Sequence, residues 1–567
     1  MRLRWLAMAG LSAASLVSAS TFAPSVAWGQ GTKTFEAPSL ESSGETSNEV
    51  VTVAVAPLDR LLPNITHVMR LVGAGAQSGL VNQAVNGYTN GVDRSRPIGA
   101  FVTLGEAGVP VTVASLPISD LEGFLGGLEL FGEAEDLGDG LYSMSIGPNT
   151  IFAQEKGDWL YVSSSEEALE SLPSEGVSTL DRMVAKNDLW VEVNVQNIPD
   201  DLVDLLSSQM RAGFEQAMEA QAGDMSDEEL EASRAQGEQL MKNLEDAIAG
   251  TEKFVIGLGI RPKEKTVTID SGAKFVSGSR FAKQMDSLKS AKAAMSGGVS
   301  DESMMSLKSY SIVAPEDVAQ VESTLESSLK TAYKSIEDSA KDEASADRAK
   351  AYLDRLVGIL VDSIKQGSME SIASVSTNPS LNIFLGISVA DGTQVEALAK
   401  DLAGELKNEN VPVTVELKTG TYKGVTLHKV AVPLPEEAED AARKVFGDEV
   451  NISIGTSPKA IYLSVGKTAE ASLKSALDGV AAKPSAAADP IRMRLDMSQL
   501  LNFIQSIESN PVVDGMLSAL SAGDDQIMID SQLIDRGSVT RLTIQEGVLK
   551  AISGGVTAGM AAQGGGF

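Results

Sequence analysis

The chain has 567 residues, 43% of them hydrophobic, no cysteine, two histidines and a formal net charge of −31. Such a charge repels nucleic acid and anionic head groups. The missing cysteines exclude disulfides, thiolate metal sites and thioester-linked lipid, so the fold must rest on hydrophobic cores, for which the chain is long enough.

Arg2 and Arg4 precede a small-residue and apolar run from Leu6 to Val26, and Ala27-Trp28-Gly29 places small residues where a signal peptidase reads. Residues 1–29 are therefore expected to be a signal peptide cut before Gln30, which makes the mature chain more acidic still. Pro24 and the serines make the run a poor membrane anchor. Residues 30–48 are polar and read as a flexible leader. Order is expected from Val50-Val51-Thr52-Val53-Ala54-Val55, a strand rich in β-branched residues. Pro57 then opens a helix carrying Leu58, Leu61, Leu62, Ile65, Met69 and Val72 at helical spacing.

The next block is a strand at Val111–Val113, then Asp120 as helix cap before Leu121, Phe124, Leu125 and Leu128. A hairpin follows, Ile151–Ala153 turning through Glu155–Asp158 into Trp159–Val162. The alternating run Val191-Glu192-Val193-Asn194-Val195 leads into a helical pair over 199–249. Its second member begins at the capping box Ser226-Asp227-Glu228-Glu229. Phe254–Ile260 and Thr266–Ile269 close the unit.

These elements recur. Val55-Ala56-Pro57 is matched by Val313-Ala314-Pro315, followed by the stripe Val318, Val321, Leu325, Leu329, Ala332 and Ile336. Asp120 is matched by Asp391 after the strand Phe384–Val389. Leu160-Tyr161-Val162-Ser163 is matched by Ile461-Tyr462-Leu463-Ser464, and Val191–Val195 by Met493–Met497, both at an offset of about three hundred residues. Ile527–Leu533 and Val539–Ile544 repeat the closing strands. The identity of Val109–Val113 with Val411–Val415 falls at unmatched places and is treated as coincidence. The fold class expected is α+β, with two related domains, each an antiparallel sheet with packed helices. The first spans 49–292 with the helical pair as an insertion, the second 305–557. A Gly/Ser linker covers 293–304, and 558–567 form a disordered tail.

Catalytic and metal chemistry finds little footing. His67 and His428 do not occupy matching positions, so one histidine per half supports neither a triad nor a metal site. Asp136-Leu137-Gly138-Asp139-Gly140 has the wrong spacing for a calcium loop. Gly73–Gly79 is glycine-rich but follows a helix, so it is not a nucleotide loop. Ser327-Ser328-Leu329-Lys330, Ser376-Thr377-Asn378 and Lys418-Thr419-Gly420 follow the order of the motifs of penicillin-recognising serine enzymes. The Leu325/Leu329 stripe, however, leaves Ser327 and Lys330 off the apolar face, and Ser464–Lys467 is a second S-x-x-K. No catalytic, cofactor-binding or metal-ligating residue is assigned, and no cofactor is implied. Tyr161 and Tyr462 lie between apolar neighbours, so their strands are expected to be covered on both faces or to meet a partner.

The stretch Asp93-Arg94-Ser95-Arg96-Pro97-Ile98-Gly99, with Pro110–Val113 and Pro117-Ile118-Ser119-Asp120-Leu121-Glu122-Gly123-Phe124-Leu125, resembles uncharacterised exported proteins of planctomycete-type bacteria. Those chains repeat an R-P dipeptide, two strands and a P-[IV]-x-D-x-x-x-F-L helix start. The likeness covers residues 93–172; the second half lacks the R-P and the Phe-Leu. It implies export and duplicated architecture and carries no activity. The function expected is a non-catalytic, exported envelope or secreted protein with a binding or scaffolding role, its partner an unknown protein or an apolar ligand. The alternatives are a carrier of a lipid or other apolar ligand and, more remotely, a serine acyl enzyme.

Overall fold

A computed structural model describes Leu40 and residues 49–564, except 106–107, 130–131, 133, 171, 173–175, 222–226, 341, 409–412, 435–439, 484–485, 489 and 521–522. The signal peptide and all of the leader but Leu40 lie outside these residues.

The first half runs β1 (Glu49–Val55), α1 (Leu58–Leu71), α2 (Ser78–Tyr88), β2 (Ile98–Leu104), β3 (Pro110–Pro117), α3 (Leu121–Leu128), β4 (Ala134–Gly138), β5 (Leu141–Ile146), β6 (Asn149–Lys156) and β7 (Trp159–Ser163). It continues with α4 (Glu167–Glu170), α5 (Gly176–Val184), β8 (Leu189–Asn194), α6 (Asp200–Gln221), α7 (Asp227–Gly250), β9 (Thr251–Arg261), β10 (Thr266–Phe275) and α8 (Arg280–Ser290). The second half runs β11 (Met305–Ile312), α9 (Pro315–Ser339), α10 (Glu343–Ile364), β12 (Ser368–Ser376), β13 (Asn382–Ser388), α11 (Gly392–Asn408), β14 (Thr414–Tyr422), β15 (Val425–Pro433), α12 (Asp440–Phe446), β16 (Glu449–Thr456) and β17 (Ala460–Gly466). It closes with α13 (Ala469–Ala482), β18 (Ile491–Asp496), α14 (Met497–Ile507), α15 (Pro511–Ala519), β19 (Gln526–Ile534), β20 (Gly537–Gln545) and α16 (Glu546–Gly564).

The expectation of a separate sheet in each domain is corrected. Among the described residues these twenty strands form one antiparallel sheet, while Lys292–Ala293 and Ala486–Ala487 pair apart from it; the single sheet arises because β10 pairs along its length with β20. From one edge to the seam the order is β4-β5-β6-β7-β3-β2-β1-β8-β9-β10. From the seam to the other edge it is β20-β19-β18-β11-β12-β13-β17-β16-β15-β14. Each strand of the first half thus has the neighbours of the strand ten places on.

The registers repeat as well. Outward from Asp270 at the seam, residues directly opposite one another are Gly257, Trp190, Ala54, Gly99, Ser115 and Tyr161. Outward from Arg541, which faces Asp270, they are Asp530, Arg492, Lys308, Ile372, Gly386 and Tyr462. One rung therefore joins Tyr161 to Tyr462, the residues that the sequence repeat matches. The pseudo-two-fold axis passes between Asp270 and Arg541.

The helical pair of the first half is no lone insertion, since α14 and α15 occupy the same place between β18 and β19. The segments ahead of β1 and β11 also enter the cores. Leu40, expected in a flexible leader, is buried with Phe101, Leu180 and Trp190. In the expected linker, Met295 and Val299 pack with Ile372, Phe384 and Leu473, and the Glu370 carboxylate accepts the backbone N–H groups of Ala294 and Met295 at 2.7 and 2.6 Å. The tail expected to be disordered continues α16 to Gly564. Small residues let α16 approach α15 closely: a Cβ on Gly554 would stand 2.4 Å from the Gly515 carbonyl oxygen.

Candidate functional site

The catalytic candidates take structural places. Asp120 caps α3 by accepting the Gly123 N–H at 3.0 Å. Asp136–Gly140 spans the end of β4 and the turn into β5, and Gly73–Gly79 links α1 to the first turn of α2. His67 on α1 contacts the Glu546 carboxylate at the start of α16, tying the two halves together. His428 is buried on β15. Its Nδ1 accepts the Lys418 N–H at 3.3 Å, which makes Nε2 the protonated nitrogen and the donor to Thr456 Oγ1 at 3.0 Å. Desolvation holds this imidazole below its ordinary pKa.

The same contact accounts for the K-T-G sequence. Lys418 has φ +56° at a register shift between Glu416 and Gly420 on β14, and its ammonium pairs with Glu396 at 2.6 Å. This is a β-bulge whose freed N–H is taken up by His428. Ser376 ends β12 and donates to the Asn378 carbonyl at 3.3 Å. Four strands, β13, β17, β16 and β15, stand between Ser376 and Lys418. Ser327 lies on α9, whose Leu325 and Leu329 pack against Val357 of α10.

Tyr161 and Tyr462 face inward. Both are buried; Tyr462 stacks with Phe384 at 6.3 Å, and burial, with Glu370 nearby, pushes its phenol up to about 12. Neither lies on an open surface.

The surface that stands out is on the opposite face of the sheet. In several strands around the seam, charged and polar side chains are buried while apolar neighbours on the other face are partly exposed. Glu192 is buried and pairs with buried Lys253 at 2.5 Å, while Val191 and Val193 beside it are half-exposed. Asp270 is fully buried in a bidentate pair with Arg541, at 2.6 and 2.7 Å, while Ile269 is 40% exposed. Thr52, Ser306 and Lys308 are buried, whereas Val51, Val53, Met305 and Leu307 are half-exposed.

The registers gather these apolar residues on one face. Val53, Val191 and Ile256 stand opposite one another on β1, β8 and β9. Ile269, Leu542, Ile529, Met493 and Leu307 do the same on β10, β20, β19, β18 and β11. Ile256 is 44% exposed and Leu189 37%.

On this face the helices cover the outer strands. Leu58, Phe124 and Leu125 pack on Ile98, Leu116 and Leu160 in the first half, and Leu325 and Val357 on Met369 and Ile387 in the second. Near the lower end of the seam Leu288 of α8 packs on Leu533. Between these the two aliphatic rows are partly exposed, most of all at Ile256 and Ile269. Ile256, Ile269 and Leu189 thus leave aliphatic surface in water on a chain of charge −31.

A separate cleft of about 590 Å³ lies between α7, α8 and the start of α9, lined by Lys242, Asn243, Asp246, Arg280 and Phe281. Within it Arg280 bonds Asp317 at 2.6 Å and lies over the Phe281 ring.

Alternation in the sequence gave the period of these strands. It did not give the sense, because Val-Glu-Val-Asn-Val reads identically whichever face is inward. The signal that carries the sense is the complementarity of Glu192 with Lys253 and of Asp270 with Arg541, which only the registers expose. Among the described residues no helix is long and apolar enough to cross a membrane. No protein family, curated protein or solved structure matches the chain.

Proposed function

We propose that the chain is a non-catalytic, exported protein of the cell envelope or the secreted fraction, which binds or scaffolds through the apolar face of its central strands. The observation that carries this reading is the inverted burial: ion pairs such as Glu192–Lys253 and Asp270–Arg541 are shielded while Ile256, Ile269 and Leu189 are open. Leaving aliphatic surface in water forgoes about 25 cal/mol per Å², and a partner that covers the face recovers it.

Export rests on the Arg2/Arg4 and Ala27-Trp28-Gly29 pattern and on the resemblance of residues 93–172 to exported planctomycete-type proteins. Descent of the two halves from one duplicated unit is supported by the repeated strand order and by the rung from Tyr161 to Tyr462. A carrier of a lipid or other apolar ligand is the second reading, favoured by the purely aliphatic make-up of the open rows.

The test is binding of an environment-sensitive apolar dye, anilinonaphthalene sulfonate, to the native chain and to Ile256→Lys/Ile269→Lys. Bright fluorescence that the double variant loses, with unchanged circular dichroism, supports the reading. Equal fluorescence in both, or none in either from a chain that sediments as a monomer, removes it. Organic extraction of the purified protein separates the two occupants: a stoichiometric lipid in the extract identifies a carrier.

A further inference from the structure

We infer that the partner of the apolar face is a second copy of this chain, the two sheets packing face to face. This rests on the proposed role of that face.

The first support is area. Eight strands at about 4.8 Å spacing, open over some four to five residues of about 3.4 Å, give a footprint of about 600 Å² per copy. Two such footprints cover about 1,200 Å², the lower end of what specific, stable interfaces bury.

The second is symmetry. An isologous contact needs a surface that matches itself. The axis between Asp270 and Arg541 passes through this face, so the rows of β8 and β9 recur on β18 and β19, Val191 as Met493 and Ile256 as Ile529.

The third is chemistry. The open residues are mostly Val, Ile and Leu, the side chains with which two sheets fill the space between them about 10 Å apart. The two rows themselves hold no charged residue, so the repulsion between two chains of −31 acts from around them, and salt should strengthen association.

The experiment is sedimentation equilibrium of the full chain from about 0.5 to 100 μM, at low and at 0.5 M salt. It compares the native protein, Ile256→Lys/Ile269→Lys, the milder Ile256→Thr, and Leu80→Lys on α2, outside the face, as control. The native chain and the control should sediment at twice the chain mass, more fully at high salt. The double variant should dissociate at least about 100-fold more readily, because burying two uncompensated ammonium groups is costly. Ile256→Thr should weaken the dimer by a smaller factor, and decides the matter if the double variant does not fold.

A native chain that is monomeric throughout overturns the inference. If it still binds the dye in a manner sensitive to Ile256, the binding role stands with another occupant; if it binds none, both fall. A dimer indifferent to all three substitutions also overturns it.

Discussion

His428 has both ring nitrogens in use, one accepting the Lys418 N–H and the other donating to Thr456. Protonation would turn the acceptor into a donor and set it against the bulge. The folded state therefore holds the ring neutral, and its pKa lies below the 6.5 of the unfolded chain. The sign follows: the contribution is whole above pH 6.5 and is lost as pH falls from there toward the folded value, by at most about 1.4 kcal/mol per pH unit. Urea denaturation at pH 7.5 and 5.5 should show His428→Gln losing less stability on acidification than the native chain. Parallel losses would acquit the ring. Asp270 poses a different problem of charge. Its removal leaves the Arg541 guanidinium buried without its bidentate partner, so Asp270→Ala should cost about 3–5 kcal/mol. Asp270→Leu with Arg541→Met should recover most of that loss. If the single variant unfolds like the native chain, the pair is not sealed from water as described.

At the scale of elements, the sequence predicted most strands and the helix starts, because β-branched runs, caps and turn residues act locally. Asp120, the hairpin into Tyr161 and the closing strands stand where local chemistry puts them. What lay beyond reach was pairing across distance. Nothing near Thr266–Phe275 or Gly537–Gln545 announces that these two strands are partners. The helical end of the chain was missed for a related reason: Gly554 and Ala558 look like breakers and fillers until Gly515 is seen against them. A side chain there should be punished: Gly554→Val should lower stability by about 1–3 kcal/mol through overpacking, and Ala558→Ser should be mild. Equal tolerance of both in thermal melts would mean that α15 and α16 are not in close contact.

For the whole molecule, a continuous ladder through the seam implies that neither half can come apart alone without exposing the edge of the other. Calorimetry should give a single transition whose van't Hoff and calorimetric enthalpies agree. Leu542→Pro, which removes a backbone donor from a central strand, should split it into two or abolish it. Two separate transitions in the native chain would show that the seam contributes little to cooperativity. The candidate surface belongs to this scale also, since its rows draw on eight strands scattered from Val51 to Ile544. No window of sequence contains it.

The place of Asp270 and Arg541 on the axis has one more consequence. A residue on a two-fold axis meets its own image. Two identical half-length chains joined along this seam would set like against like there, aspartate facing aspartate or arginine facing arginine. Two halves of unlike sequence place a different residue on each side of the axis, as Asp270 and Arg541 do here. The opposite charges at the centre thus break the symmetry of the joint and select the covalent pair of unlike halves over any pairing of equals.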